Sequence, residues 1–206
     1  MKLERLLHQG LRALDLDLPA DAEPRLLQYL RLLEKWNRAY NLTAVRDPEQ
    51  MVARHLLDSL VVRLYAVGPR VLDIGTGAGL PGIPLALTLP ALHFTLLDSN
   101  AKKTRFVTQA VHVLGLANVA VVQARAEKFQ PPTKFDTLIA RAFASIPDML
   151  ATTRHLCAPR ARWLAMKGVF PQEELAAIPA EYVAEVKSLH VPGLEAARHL
   201  VIIAQR

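Results

Sequence analysis

Val71-Leu72-Asp73-Ile74-Gly75-Thr76-Gly77-Ala78-Gly79-Leu80-Pro81-Gly82 is the stretch that decides the fold. An apolar run ends on an acid, breaks into alternating glycines, and passes into a second apolar run with helical spacing. That order reads as a buried strand, a tight turn and a helix N-terminus. Glycine admits positive φ and leaves room for a ligand to approach the backbone. The helix start adds free N–H groups and the positive end of a dipole. In a doubly wound α/β fold a nucleotide-like ligand sits at this place.

Two ligand classes fit the glycines. Gly75-x-Gly77-x-Gly79 suits the first loop of S-adenosylmethionine enzymes, whereas Gly77-x-Gly79-x-x-Gly82 matches the dinucleotide pattern. Register favours the first. The strand ends at Ile74, so Gly75 is the first turn glycine and Leu80 occupies the place of the third. Asp73 also puts an acid where a pyrophosphate would otherwise lie, which suits a cationic sulfonium cofactor.

Outward from this loop the chain alternates strand and helix. Strands are expected at 70–74, 93–97, 118–123, 135–140 and 162–166, and helices near 81–89, 100–114, 145–156 and 171–177, with Gly115 as a C-cap. Tyr182–Val191 and His199–Ala204 read as two closing strands around a Pro192-Gly193 turn. The pattern predicts a mostly parallel sheet with helices on both faces. Upstream, Leu3, Leu6, Leu7, Leu11 and Leu14 mark one amphipathic helix. After a break from Asp15 to Pro24, Leu26, Leu27, Leu30, Leu33 and Trp36 mark a second. Asp47-Pro48-Glu49-Gln50 starts a third, with Asp47 as N-cap and Met51, Val52, His55, Leu56, Ser59 and Leu60 on one face. The expected division is a helical segment over 1–66 and a ligand-binding α/β domain over 67–206.

With 206 residues, 51% of them hydrophobic, the chain can bury a core. No apolar run reaches the ~18–20 residues of a membrane span, and the first residues carry charges rather than a signal-peptide core. The single Cys157 excludes an intramolecular disulfide and a cysteine-rich metal site. It is expected near the end of a helix, in a structural role. A cytoplasmic monomer without a metal is the expectation. The formal net charge is +6, and its excess is local: residues 98–134 carry six basic against two acidic side chains, and 141–168 carry five against one. A basic excess beside a ligand loop points to an acidic partner, nucleic acid first.

Asp98 ends the second strand, 23 positions after Gly75, where an acid can accept hydrogen bonds from both hydroxyls of a ribose. Helix capping is its alternative role. Ala126 and Glu127 follow the third strand, in the loop beside an adenine. Arg141 ends the fourth strand, where ligand and substrate meet; it can hold a phosphate or a base edge, or stack on a base. The chain has no Asn/Asp-Pro-Pro-aromatic loop for exocyclic amines and no proline-cysteine loop for pyrimidine carbon 5. A methyl acceptor here would already be nucleophilic. Lys102, Lys103, Arg105, Arg125 and Lys167, with Lys128 and Lys134, are candidates for a phosphate-binding rim or a solvated face. Arg54 and Asp58 are spaced to pair on one helix face.

Several segments together carry a family resemblance: Trp36-Asn37 with Asn41-Leu42-Thr43; His55-Leu56-Leu57-Asp58-Ser59-Leu60; Asp73 to Gly82; Leu96-Leu97-Asp98-Ser99 with Lys102-Lys103; Phe135-Asp136 with Arg141-Ala142-Phe143-Ala144; and Met166-Lys167-Gly168. In this order, over roughly residues 30 to 170, the chain resembles the bacterial small-subunit ribosomal RNA methyltransferase G family, also called the glucose-inhibited division protein B family. The resemblance implies a Rossmann-like class I methyltransferase fold. It also implies S-adenosylmethionine as cofactor and N7 of one guanine in 16S ribosomal RNA, free or in the small subunit, as acceptor. It places Gly75, Leu80, Ala126, Glu127 and Arg141 at the cofactor; the loop reading adds Asp73, Gly77, Gly79 and Asp98. Asp58 is the candidate to stabilise positive charge on the methylated base. A dinucleotide oxidoreductase and a non-catalytic RNA-binding module are the rival readings.

Overall fold

A computed structural model describes residues 2–143 and 145–206; Ala144 of the Arg141 motif lies outside the described residues. Two helices, α1 (Lys2–Leu14) and α2 (Ala22–Tyr40), open the chain. The break after α1 is shorter than the sequence pattern predicts. Pro24 lies inside the first turn of α2, where the N–H it lacks has no helical partner to lose. A third helical stretch runs through α3 (Pro48–Met51), a π-helical turn over Val52–Leu57, and α4 (Asp58–Leu60). Asp47 caps its start by accepting from the Glu49 N–H at 3.0 Å.

The remaining elements are β1 (Arg70–Ile74), α5 (Gly82–Thr88), β2 (His93–Asp98), α6 (Ala101–Leu114), β3 (Val119–Gln123), β4 (Phe135–Arg141), α7 (Ile146–Thr153), β5 (Cys157–Lys167), α8 (Gln172–Ala176), β6 (Tyr182–Leu189) and β7 (Arg198–Gln205). The seven strands form one sheet in the order β3-β2-β1-β4-β5-β7-β6. The first five are parallel; β7 runs antiparallel between β5 and β6. Strand alternation sends neighbouring side chains to opposite faces. Val71, Leu96, Ile139, Leu164 and Leu200 enter one apolar core, while Leu72, Leu97, Leu138, Trp163 and Val201 enter a second. Helices α1, α2, α5 and α6 bury their apolar sides in the first core, and α7 covers the second.

The first core is continuous from the leading helices into the sheet. Leu26, Leu30 and Leu33 of α2 are almost wholly buried, each a contribution of about 1.5–3 kcal/mol. Cys157 begins β5 instead of ending a helix, because a 3-10 turn over Arg154–Leu156 intervenes. Burial pushes its thiol up to about 12, which keeps it protonated and unreactive. Among the described residues no helix is long and apolar enough to cross a membrane.

Candidate active site

The glycine loop leaves β1 with Gly75, Gly77 and Gly79 all at positive φ. Two strands brace it. The Thr76 N–H donates to the Leu97 carbonyl at 3.0 Å, and the Gly77 N–H to Asp98 Oδ2 at 2.9 Å. Asp73 Oδ2 accepts from the Thr76 hydroxyl at 2.6 Å and the Gly82 N–H at 2.8 Å. From outside the sheet, the buried Tyr29 hydroxyl of α2 donates to the Ala78 carbonyl at 2.6 Å.

The loop glycines serve two different needs. A Cβ on Gly75 would meet nothing within 4 Å, and one on Gly77 only the Gly75 carbonyl at 3.9 Å, so this part of the loop borders open space. A Cβ on Gly82 would lie 2.2 Å from Leu96 Cδ2 and 2.7 Å from Asp73 Oδ2. Gly82 is thus a packing residue of α5, and its N–H is spent on Asp73. Asp73 itself is wholly buried beneath the loop. Its expected place facing a ligand is corrected: it holds the loop's shape from below. Burial pushes its carboxyl up to about 6, against the opposing hydrogen bonds from Thr76 and Gly82.

Above the open glycines lies a cleft of about 170 Å³, bordered by Gly75, Asp98, Arg125, Ala126, Glu127 and Phe143 among others. Asp98 is buried, and its Oδ1 accepts from the Asn100 N–H at 2.8 Å. Helix capping falls to Asn100, whose Oδ1 accepts from the Lys102 and Lys103 N–H groups. The Asp98 carboxylate keeps lone pairs for further hydroxyl donors. Two further expected cofactor residues flank this cleft without lining it. Leu80 buries its side chain in the first core, and Arg141 faces a different cleft.

That second cleft, of about 450 Å³, is bordered by Arg54, His55, Asp58, Arg141, Lys167 and Arg198 among others. The two clefts meet at the end of β4: Arg141 and Ala142 border one, Phe143 the other. Ala142 makes this turn at φ 60, a conformation costly for alanine and concentrated at functional sites. Asp58 is buried, and each of its oxygens takes one guanidinium: Arg198 Nε at 2.8 Å and Arg141 Nη1 at 3.3 Å. The expected Arg54–Asp58 pair is replaced by these contacts, and Arg54 instead offers its carbonyl to Arg141 Nη1 at 3.2 Å. Both Asp58 oxygens are bound to guanidiniums, so the buried carboxylate orients its two arginines.

His55 lies in the π-helical turn, a distortion frequent at functional sites. Its Nε2 is 2.9 Å from the Thr43 hydroxyl. Burial, then the nearby Arg141 charge, pushes its pKa down to about 4, so the ring is neutral at pH 7. Lys167 was expected on a phosphate rim; instead both Glu174 oxygens hold its ammonium, at 2.7 and 2.9 Å. Lys102, Arg105 and Arg125 are exposed and Lys103 half-buried, with no ion pair among those described. Sequence reasoning missed Tyr29, Glu174 and Arg198, which meet their partners only through the tertiary fold.

The model of the rRNA small subunit methyltransferase G family matches residues 22–201. Ribosomal RNA small subunit methyltransferase G of Nitrosococcus oceani is 52% identical over 204 residues, 98% of this chain and 95% of the relative. The protein of the same name from Pseudomonas aeruginosa is 53% identical over 199 residues, 96% and 93% of the two chains. Among solved structures, the O-methyltransferase TomG from Streptomyces achromogenes matches with a TM-score of 0.62 and 18% identity, covering 100% of this chain and 99% of that one. An O-methyltransferase from Bacillus cereus gives the same TM-score and identity over 99% and 100%. These two share the Rossmann-like methyltransferase fold. With its glycine cradle, its strand order and its near-complete match to these relatives, the chain belongs to the rRNA small subunit methyltransferase G family.

Proposed function

We propose that this protein transfers a methyl group from S-adenosylmethionine to N7 of a guanine in 16S ribosomal RNA, free or within the small subunit. The observation that carries the reading is the open face of Gly75 and Gly77 beside the buried Asp98, in a chain of this family. S-adenosylmethionine, when bound, supplies an electrophilic methyl group on a sulfonium. Gly75 and Gly77 leave room for it, Asp98 accepts from its ribose hydroxyls, and the Ala126-Glu127 backbone lies beside its adenine.

Guanine N7 carries a free lone pair, so no residue must remove a proton before attack. The chain contributes position: correct placement supplies up to ~7–11 kcal/mol in favourable cases. The target base is read in a single-stranded or extruded state, as is usual for sequence-specific RNA recognition.

The test is methyl transfer from labelled S-adenosylmethionine to small-subunit RNA lacking the modification, followed by borohydride–aniline cleavage. A single cleavage site establishes donor, acceptor atom and substrate. Labelling without cleavage retains the transferase and removes the N7 assignment. Cofactor binding without labelling favours a non-catalytic RNA-binding module.

A further inference from the structure

The second cleft holds an imbalance of charge that nothing in the fold requires. Two guanidiniums, from Arg141 and Arg198, hold one carboxylate, Asp58, and Arg54 also borders the cleft. Lys167 adds no free charge because Glu174 neutralises it, and His55 is neutral. Asp58 is nearly inaccessible, whereas the Arg141 and Arg198 side chains remain 25% and 22% exposed. In the described hydrogen bonds, Arg141 uses only Nη1, and Arg198 only Nε and Nη1. Each guanidinium therefore keeps N–H donors in a planar fork of the shape that fits a phosphate.

We propose that Asp58, Arg141 and Arg198 form a phosphodiester subsite for the substrate RNA, in which Asp58 is a positioning residue that sets the two guanidiniums side by side. This deepens the proposed function and rests on it for the identity of the RNA. Like charges at this separation repel, and the buried carboxylate between them offsets the repulsion while fixing both orientations. The excess positive charge then falls to an anion in the cleft. An RNA phosphate held there lies at the near end of Arg141-Ala142-Phe143, the segment that leads to the glycine cradle. The nucleotide carrying that phosphate is brought to the junction of the two clefts. Arg198 contributes from β7, on the far side of β5, so the clamp joins the helical segment to the closing strands.

The test measures filter binding of 16S ribosomal RNA against salt concentration for the wild type, Arg198→Gln, Arg198→Lys and Asp58→Asn. S-adenosylhomocysteine affinity by calorimetry, a thermal melt and methyl transfer accompany it. Arg198→Gln is expected to weaken RNA binding on the order of tenfold, the scale of one charge-assisted hydrogen bond. It should also flatten the slope of log K against log salt by about 0.7–0.9, the share of one phosphate contact. A merely structural role would leave that slope unchanged. Arg198→Lys should keep the slope and recover part of the affinity. Asp58→Asn makes the cleft more positive yet is expected to bind RNA more weakly, because the forks lose their alignment.

An unchanged slope in Arg198→Gln overturns the subsite. Tighter RNA binding by Asp58→Asn overturns its positioning role. Loss of S-adenosylhomocysteine affinity in step with RNA binding assigns the arginines to the cofactor's carboxylate instead. If Asp58→Asn does not fold, the Arg198 pair decides alone. The binding readout is independent of turnover: a wild type that binds RNA with the expected slope but transfers no methyl group removes the proposed function and leaves the phosphodiester clamp standing.

Discussion

Tyr29 and Ala78, 49 positions apart, are joined by a 2.6 Å hydrogen bond from the phenol to the loop carbonyl, fully out of solvent. The leading helical segment thereby fixes the glycine loop, the proposed cofactor cradle. Tyr29→Phe keeps the ring packing and leaves the Ala78 carbonyl without its partner, a cost of about 1–3 kcal/mol. The melting temperature should fall by several degrees, and S-adenosylhomocysteine should bind more weakly; scanning calorimetry and a binding titration check both.

Gly77 and Gly82 should separate binding from folding. Gly77→Ala adds a methyl group to open space at positive φ, a strain of roughly 1–2 kcal/mol. The protein should fold and lose cofactor affinity. Gly82→Ala drives a methyl group into Leu96 and Asp73 and should destabilise the fold itself, by about 1–3 kcal/mol or more. Parallel melts and titrations of the two variants give the comparison.

Asp98→Ala removes the acceptor for both the Gly77 and Asn100 N–H groups as well as the proposed ribose contact. S-adenosylhomocysteine affinity should drop by at least tenfold, the scale of one or two hydrogen bonds to a charged group. The α6 start should persist, because Asn100 caps it independently. Calorimetry and circular dichroism report the two effects separately.

Two buried groups oppose each other in pH. Asp73 has its folded pKa raised from 3.8 to about 6, so its contribution is fully present below pH 3.8 and is lost as pH rises through 6. His55 has its folded pKa lowered from 6.5 to about 4, so its contribution is present above pH 6.5 and is lost as pH falls through 4. Each is worth about 3 kcal/mol, and between pH 4 and 6 they nearly cancel. His55→Gln should expose a stability that falls as pH rises through this window, and Asp73→Asn one that rises. Denaturant melts from pH 4 to 7 measure both.

The parts of the molecule legible in the sequence are those set by local rules. The strand–glycine–helix order put Gly75 and Asp98 on one cleft, because both sit at carboxyl ends of neighbouring parallel strands. Helical spacing put Met51, Val52, His55, Leu56, Ser59 and Leu60 on one face, which is buried, though it did not announce the π-helical turn. The partners of Asp58 were not legible. Arg54, four positions away, satisfied the spacing rule, yet Arg198, 140 positions away, takes the carboxylate. No period or motif announces a pair closed by the order of strands in a sheet. For the same reason the Lys167 motif was visible but its ion pair was not: Glu174 is delivered by a short helix after β5.

The insertion of β7 between β5 and β6 has a consequence for the order in which the protein is made. The glycine cradle, Asp98 and the 124–127 loop all precede β5 and are complete once the parallel strands have emerged from the ribosome. Asp58 and Arg141 are by then in place as well, but Arg198 follows them by more than fifty residues and docks only when the closing strands pair. Until β7 pairs with β5, the cleft lacks the Arg198 half of the proposed clamp. The proposed grip on RNA is therefore acquired after the glycine cradle is complete.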